Sequence, residues 1–426
     1  MKVFLDSVGC RLNQSEIETY ARQFRAAGHD LVPSPDQADL VVINTCSVTE
    51  PAAADSRQKV RQAARAGAGQ IVVTGCWSTL EPDNAARLPG VTQIVPNQVK
   101  DDLVLNVLHA PPEIFDREFM EREPLPGARQ RTRAFIKVQD GCDNHCTFCV
   151  TTIARGVGRS RPVEDVLLDI QAAVRGGAKE IVLSGVHLGS WGQDFSSAQH
   201  LRHLIQAVLA DTDVTRLRLS SLEPWDLDEP FFTLWEDPRL CRHLHLPLQS
   251  GSAGTLRRMA RKTTPASFQT LLASARAVIP DVAITTDVIT GFPGETDAEF
   301  NESLDFIEAM QFAGGHVFTY SARPGTVAAK MPRQVAHAVR KDRNTAVRRA
   351  LDLSAKSYQT HFLGQELEVL WEGAAVLSPS GWRMNGLTDN YLRVESLAPQ
   401  HLWNQISRVR LESHIPHGLY GIIQTG

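Results

Sequence analysis

Long apolar runs are missing from this chain. No stretch of eighteen apolar residues occurs, so no segment reads as a membrane-spanning helix. The start, Met1-Lys2-Val3-Phe4-Leu5-Asp6, breaks its apolar run too early for a signal peptide. Basic charge is not in excess: the formal net charge is −4, so no global positive field advertises nucleic-acid binding. Any RNA contact has to come from a local patch. Cysteines are few and odd in number, seven in 426 residues, which argues against a disulfide scaffold and for a reducing cytoplasm. Gly291 to Thr296 has the glycines of a phosphate loop but lacks the Gly-Lys-Ser/Thr ending, which excludes a P-loop nucleotide triphosphatase. What remains, 42% hydrophobic and 22% charged, is ordinary globular composition, long enough for about three domains.

Six of the seven cysteines are placed informatively by their neighbours, and three of them fall in one stretch, Cys142-Asp143-Asn144-His145-Cys146-Thr147-Phe148-Cys149. Thiolates at this density select zinc or an iron–sulfur cluster. A structural zinc ion takes four protein ligands, and a fourth is not evident. His145 stands too close between two cysteines to share a tetrahedral ion, so it is read as a supporting or packing residue. Three thiolates fit a [4Fe–4S] cluster with one iron open to the amino and carboxylate groups of S-adenosylmethionine. A zinc knuckle or a redox-inert site is the plain alternative.

The first hundred residues alternate strands and helices: strands at 2–7, 40–44, 71–74 and 91–95, helices at 13–27 and 51–66. Asn13 with Glu16 three residues on reads as a capping box, and Gly28 closes that helix. Such alternation predicts a parallel sheet covered on both faces. Cys10, Cys46 and Cys76 each fall just past a strand, and ligands gather at the carboxyl ends of parallel strands. Gly9 and Gly75 precede two of them and let backbone approach closely. Taken singly, each is a buried small hydrophobe; together they point to a second metal cluster.

These motifs carry a resemblance. The C-x3-C-x2-C spacing with an aromatic before the last cysteine resembles the radical S-adenosylmethionine enzymes. Gly9-Cys10-Arg11-Leu12-Asn13, Asn44-Thr45-Cys46-Ser47-Val48-Thr49 and Gly75-Cys76-Trp77 are similar to the three cysteine motifs of the amino-terminal domain of the methylthiotransferases. The resemblance implies two [4Fe–4S] clusters: Cys142, Cys146 and Cys149 hold the catalytic one, and Cys10, Cys46 and Cys76 the one that handles the inserted sulfur. It covers essentially the whole chain.

Residues 109–130, with Pro111, Pro112, Pro124 and Pro126 among charges, read as a linker. From Arg131 to about residue 360, strands are expected at 134–138, 180–184, 216–220, 243–248, 283–289 and 316–320. Helices are expected at 163–175, 198–210, 265–278 and 297–310. Six β/α units predict a partial, six-stranded version of the TIM barrel, with chemistry at the carboxyl ends of its strands. Ser184 and Gly185, Ser220 and Glu223, Gln249, and Asp287 and Gly291 stand at successive strand ends; they are the candidates for holding S-adenosylmethionine. Cys241 lies off every motif and is read as structural.

Arg323 to Lys356 holds nine Lys/Arg against two Asp. Within it, Val335, Val339, Ala346, Ala350 and Leu353 have helical spacing. The run is either a solvated face or a track for a phosphate backbone. Arg129, Arg131, Arg133, Arg155, Arg159 and Arg161 extend such a surface in this reading. The tail from residue 361 shows five short strands and predicts a small antiparallel β-barrel, similar in place and pattern to the RNA-binding TRAM domain. It carries four Arg and no Lys against six acidic residues, so the tail either docks RNA through shape and aromatics such as Trp382 and Tyr391 or merely packs.

Within the methylthiotransferases, the Gly9-Cys10-Arg11-Leu12-Asn13 motif and the Gly185 to Gly189 and Tyr320 to Thr326 stretches resemble the branch acting on N6-threonylcarbamoyladenosine of tRNA. The implied reaction is insertion of a methylthio group at C2 of that adenosine: S-adenosylmethionine yields a 5′-deoxyadenosyl radical, the C2 hydrogen is removed, and a second S-adenosylmethionine supplies the methyl. The implied partners are the anticodon loop of tRNA and an electron donor such as flavodoxin or ferredoxin, with the enzyme a cytoplasmic monomer. The other readings are a methylthiotransferase for isopentenyladenosine tRNA or for a ribosomal protein, and a non-catalytic iron–sulfur or zinc protein.

Overall fold

A computed structural model describes residues 1–111, 132–378 and 381–424. Most of the expected linker lies outside these residues, as do Arg129 and Arg131.

In the first unit, β1 (Lys2–Ser7), β2 (Asp30–Leu31), β3 (Leu40–Thr45), β4 (Gln70–Gly75) and β5 (Val91–Val95) form a parallel sheet in the order β2-β1-β3-β4-β5. Successive side chains point to opposite faces. Leu40, Val42 and Val72 meet Ile17, Tyr20 and Phe24 of α1 (Arg11–Ala26). Val41, Ile43 and Val73 meet Val60 and Ala63 of α2 (Glu50–Arg65) on the other face, and Leu103 and Val104 of α3 (Leu103–Leu108) pack on the α1 side. Both faces are covered, as the alternation of elements predicts. The α1 cap differs from expectation. The helix starts at Arg11 with Cys10 at its N-cap and no side-chain cap, and Asn13 and Glu16 lie inside it. Their side chains are committed to a buried polar network described below.

The second unit contains β6 (Arg133–Lys137), α4 (Thr151–Arg155), α5 (Val163–Arg175), β7 (Glu180–Ser184), α6 (Leu201–Asp211) and β8 (Arg216–Leu219). It continues with β9 (His243–His245), α7 (Pro265–Val278), β10 (Ala283–Thr290), α8 (Asp297–Met310) and β11 (Gly314–Thr319). The strands β6-β7-β8 and β9-β10-β11 form two parallel sheets. Parallel bridges Leu217↔Leu240 and Ser221↔His245 join β8 to the β9 segment, so the six run in chain order around an arc. Thr264 and Thr296 cap α7 and α8 with full capping boxes. β9 is shorter than the expected 243–248; its continuous ladder stops at His245, before Pro247, which has no N–H to extend it, and one bridge to β10 resumes at Gln249. The open side of the arc is covered by α1, where the Lys137 backbone N–H donates to Ser15 Oγ at 2.9 Å.

The basic run forms α9 (His337–His361), but its buried face is Arg343, Val347, Ala350 and Leu351. Val339 and Leu353, expected inside, are exposed. Several of its cations are structural: Arg343 pairs with Glu295 and Asp297 at 2.6 Å each, and Arg323 reaches Glu50 of the first unit at 3.1 Å. The cations expected around the cluster loop are engaged as well. Arg133 pairs with Glu372, Arg161 with Asp169, and Arg155 is almost fully buried.

In the tail, β12 (Glu366–Ser378), β13 (Gly381–Thr388), β14 (Arg393–Ala398), β15 (Ile406–Ile415) and β16 (Gly418–Ile423) close a barrel in the order β12-β13-β14-β16-β15. It is not wholly antiparallel, because β14 and β16 pair in parallel. An odd number of strands cannot alternate direction around a closed ring, so one like-directed pair is unavoidable. Residues following β13 dock into the base of the arc. Arg218, fully buried, holds Glu180 through two hydrogen bonds at 2.7 and 3.0 Å and also donates to the carbonyls of Thr388 and Asp389. Tyr391 stacks on His243 with ring centroids 3.9 Å apart and accepts from Arg11 at 3.1 Å. Of the two roles open to these aromatics, packing is the one seen: Tyr391 joins all three units, and Trp382 packs on the core of the small barrel and against His401. Among the described residues, no helix is long and apolar enough to cross a membrane.

Candidate active site formed by two cysteine triads

Cys10, Cys46 and Cys76 follow β1, β3 and β4, three adjacent strands of one parallel sheet, and so meet at its carboxyl edge. Cys46 and Cys76 are buried, whereas Cys10 sits at the rim with an exposed surface. Two glycines make the approach possible. Gly9 has φ +95°, and a Cβ there would lie 2.4 Å from Cys46 Sγ. Gly75 has φ +96°, and a Cβ there would lie 2.3 Å from the Thr45 carbonyl oxygen. Only glycine fits both demands. The Cys46 backbone N–H donates to Ser56 Oγ at 3.0 Å, and Asn97 Nδ2, just past β5, donates to Cys76 Sγ at 3.6 Å. Burial pushes the Cys46 thiol up to about 11, with Cys10 and Cys76 adding to the rise. Burial likewise raises Cys10 despite its open surface, opposed by the nearby Arg155 guanidinium.

Cys142, Cys146 and Cys149 lie in the loop between β6 and α4, at the carboxyl end of the first strand of the arc. Backbone N–H groups already point at two sulfurs: Asn144 N donates to Cys142 Sγ at 3.4 Å and Thr151 N to Cys149 Sγ at 3.3 Å. Arg261 Nη1 donates to Cys146 Sγ at 3.9 Å and is held by Glu223 at 2.6 Å and stacked on Trp225. Burial pushes the Cys146 thiol up to about 11, and Arg261 opposes the rise. His187 pairs with Asp226 at 2.6 Å; although burial favours its neutral form, bonds to Asp226 and Cys142 raise it to about 10. Phe148 anchors the loop by an edge contact with Phe292 beyond β10. His145 is exposed rather than packed, and its buried neighbour Asn144 contacts the His187 ring instead.

The remaining candidates lie at successive strand ends. Ser220 is buried with its hydroxyl unpartnered, and Asp287 pairs with His245 at 3.3 Å while its Oδ1 is buried without a hydrogen bond. Orphaned buried polar atoms at strand ends are expected where a polar ligand binds. Gln249 has φ +72° and ties the β9 segment to β10 through backbone bonds with Asp287 and Ile289. Ser184 is buried and donates back to the Val182 carbonyl, Gly185 lies against Gln139, and Gly291 packs against Arg340 of α9. Cys241 is buried beside Arg218 and Glu180, and burial pushes its thiol up to about 12.

All-thiolate donor sets with N–H groups aimed at sulfur are what iron–sulfur clusters take. The donor chemistry of each triad, three thiolates met by N–H donors, fits a cluster of this kind.

Between the triads lies a polar network that sequence reading missed. Lys100, after β5, contacts Glu16 at 2.5 Å and Asp140 at 3.2 Å, and all three are buried. Asn97 also donates to the Ala154 carbonyl at 2.9 Å, linking the sheet edge to α4. Asn97 was findable, since it follows the last strand of the sheet as the cysteines follow the others. Arg261 was not, because nothing within a hundred residues of Cys146 marks it as a neighbour.

Residues 2–96 match Uncharacterized protein family UPF0004, and residues 136–307 match the Radical SAM superfamily. The chain is 35% identical to the threonylcarbamoyladenosine tRNA methylthiotransferase MtaB of Bacillus subtilis, over 96% of this chain and 93% of that protein. It is 37% identical to the MtaB of Thermotoga maritima, covering 87% and 86%. The tRNA-2-methylthio-N(6)-dimethylallyladenosine synthase of Geobacillus thermodenitrificans is 30% identical, covering 96% and 81%. Among solved structures, the radical S-adenosylmethionine methyltransferase TsrM from Kitasatospora setae aligns with a TM-score of 0.57 at 15% identity over 77% of each chain. The cobalamin-dependent S-adenosylmethionine radical enzyme OxsB aligns at 0.52 and 13%, over 84% of this chain and 56% of that one. These two likenesses are of fold.

Proposed function

This chain belongs to the radical S-adenosylmethionine methylthiotransferase family, and on that premise we propose that it inserts a methylthio group at C2 of N6-threonylcarbamoyladenosine in the anticodon loop of tRNA. The observation that carries the proposal is the joining of two cysteine triads through one buried junction, Asn97 contacting Cys76 and α4 together. Two sites joined by one buried junction suit a reaction that activates a carbon at one and delivers sulfur from the other. The substrate branch is supported by a small margin of identity, 35–37% to the MtaB relatives against 30–34% to the dimethylallyladenosine enzymes.

Cys142, Cys146 and Cys149 would hold one [4Fe–4S] cluster, and Cys10, Cys46 and Cys76 the other. When bound, these clusters and S-adenosylmethionine supply radical chemistry able to take hydrogen from a carbon that no acid–base pair activates. The protein's own groups do the placing. Arg261, held by Glu223, and His187, held by Asp226, put charge beside Cys146 and Cys142. Ser220 and Asp287 offer unpartnered polar atoms to S-adenosylmethionine, with Ser184, Gly185, Gln249 and Gly291 shaping the loops around them. The target base must leave its stack to reach the site, and a single-stranded loop makes that cheap. Lys330, Arg333 and Lys341, exposed around the amino-terminal end of α9, are the candidates for its phosphates. A small electron carrier of the flavodoxin or ferredoxin type is the redox partner.

Mass spectrometry of tRNA nucleosides from a host lacking its own enzyme, with and without this gene, tests the reading. Methylthio-threonylcarbamoyladenosine appearing only with the gene is the expected result. The isopentenyl product would move the substrate and keep the chemistry. No new nucleoside, together with stoichiometric zinc in the purified chain, would overturn the proposal in favour of a non-catalytic role.

A further inference from the structure

Arg155 ends α4, six residues after Cys149, and its side chain is only 2% exposed. Its Nη1 donates to Asp140 Oδ1 at 2.8 Å and to Glu16 Oε1 at 3.2 Å, and its Nη2 donates to Asn13 Oδ1 at 2.8 Å. Asn13 Oδ1 also accepts from the Cys10 thiol at 3.6 Å, so one amide oxygen joins the guanidinium to the amino-terminal triad. Asn13 is fixed in turn, donating through Nδ2 to the carbonyls of Val8 and Thr45 at 2.7 and 3.1 Å. Those carbonyls belong to the strand ends that carry Cys10 and Cys46.

The charge pattern is directional. Arg155 acts electrostatically on Cys10 and Cys46, and Cys76 acts on Arg155 in turn. Within the buried junction Lys100 and Arg155 stand against the two carboxylates Glu16 and Asp140, and Lys137 at its edge pairs with Asp101. Ligating thiolates are deprotonated, and three of them would set further negative charge beside the Arg155 guanidinium. The other triad draws its cations, Arg261 and His187, from its own unit. The amino-terminal triad takes its cation across the boundary.

We propose that Arg155, carried by the radical domain, is the charge partner of the cluster on Cys10, Cys46 and Cys76, where it stabilises the reduced, more negative state. The cluster's electrostatic environment is then complete only when the two units are docked. This rests on the reading, made above, that the triad holds a cluster. Arg155 is a positioning residue in this role, acting on the cofactor through charge and through Asn13.

The test uses the full chain with Cys142, Cys146 and Cys149 replaced by Ala, reconstituted anaerobically with iron and sulfide, so that only the amino-terminal cluster is present. Its reduction is followed by electron paramagnetic resonance during a redox titration. In that background Arg155→Gln is expected to lower the reduced-to-oxidised ratio at fixed potential about tenfold, a fall of about 59 mV for one electron. Arg155→Lys should restore most of it. Glu16→Gln, which removes a negative charge beside the guanidinium, should move the potential upward. Equal potentials in parent and Arg155→Gln, or shifts of the same sign in Arg155→Gln and Glu16→Gln, would overturn the proposal. If Arg155→Gln retains no iron, the Glu16→Gln titration decides: an upward shift supports it, no shift overturns it. A parent that binds no cluster would fell both this inference and the amino-terminal half of the proposed function; a bound cluster with an unmoved potential would fell this inference alone.

Discussion

Replacing Gly9 with Ala should loosen the amino-terminal cluster while leaving the rest of the chain folded. Gly9 has φ +95°, and an added Cβ would stand 2.4 Å from Cys46 Sγ and 2.5 Å from Cys46 Cβ. Left-handed backbone costs a non-glycine residue about 1–2 kcal/mol. Turning the Cys46 side chain some 30° off its rotamer to clear the methyl adds about 0.5–1.5 kcal/mol. Cys46 cannot retreat as a unit, because its N–H and carbonyl are both bonded to Ser56. Without a cluster, however, the thiol is free to swing away. The backbone cost is common to both forms; the Cys46 strain falls on the loaded one, and about 0.5–1.5 kcal/mol corresponds to roughly 2- to 13-fold weaker retention. The assay is competition with an iron chelator, read by iron content and absorbance, in the background lacking Cys142, Cys146 and Cys149. Gly67→Ala is the control: its φ is +85°, but nothing lies within 4 Å of an added Cβ, so it carries the backbone cost without the contact. If Gly9→Ala and Gly67→Ala released iron at the same chelator concentration, close packing of Gly9 on Cys46 would not be what holds the triad together.

Three other outcomes follow from the same geometry. Burial alone would raise the Glu16 carboxyl, but Lys100, Arg155 and Lys137 more than offset it and bring it down to about 2, below its ordinary 4.5. A depressed carboxyl stabilises the fold above its unfolded value, so this contribution should be intact at neutral pH and lost as pH falls from about 4.5 toward 2. Acid unfolding followed by circular dichroism should be shallower in Glu16→Gln across that window, and an unchanged slope would count against the network. Arg218→Met should cost about 3–5 kcal/mol in urea denaturation, because it strands the fully buried Glu180; a loss under 1 kcal/mol would mean that the carboxylate finds water. The triple variant Lys330→Ala, Arg333→Ala, Lys341→Ala should weaken tRNA binding without regard to loop sequence. It should also reduce the slope of log affinity against log salt by about two to three, near one per cation removed; an unchanged slope would place the RNA elsewhere.

Much of this site was legible because its ligands obey local rules. Cys142, Cys146 and Cys149 share one loop, and Cys10, Cys46 and Cys76 follow strands whose parallel pairing is itself readable from the alternation of elements. Gly9 and Gly75 announced close approach and meet it. Polar partners follow no such rule. Glu223 to Arg261 and Asp140 to Lys100 are ion pairs made by tertiary packing, at sequence separations that carry no periodic signal. A basic run is ambiguous for the same reason: Arg343 and Lys341 are two residues apart, yet one is buried between carboxylates and the other faces solvent.

The misreading at the start of α1 has a physical cause worth following. Asn13 and Glu16 have the residue types and spacing of a capping pair, because short polar and carboxylate side chains satisfy backbone N–H groups at helix starts. Here the helix begins earlier, with Cys10 at the N-cap and no side chain capping it. Asn13 and Glu16 thereby stay free to bind Arg155, at 2.8 and 3.2 Å. A local preference was given up, at a cost typically near 1 kcal/mol, where a distant charge competed for the same side chains. Local rules fail most informatively where function competes with them. On that reasoning Asn13→Ala should leave α1 no less helical, since Asn13 caps nothing, yet should loosen both Cys10 and Arg155. A drop in helicity without a change in cluster retention would mean that the capping reading was right after all.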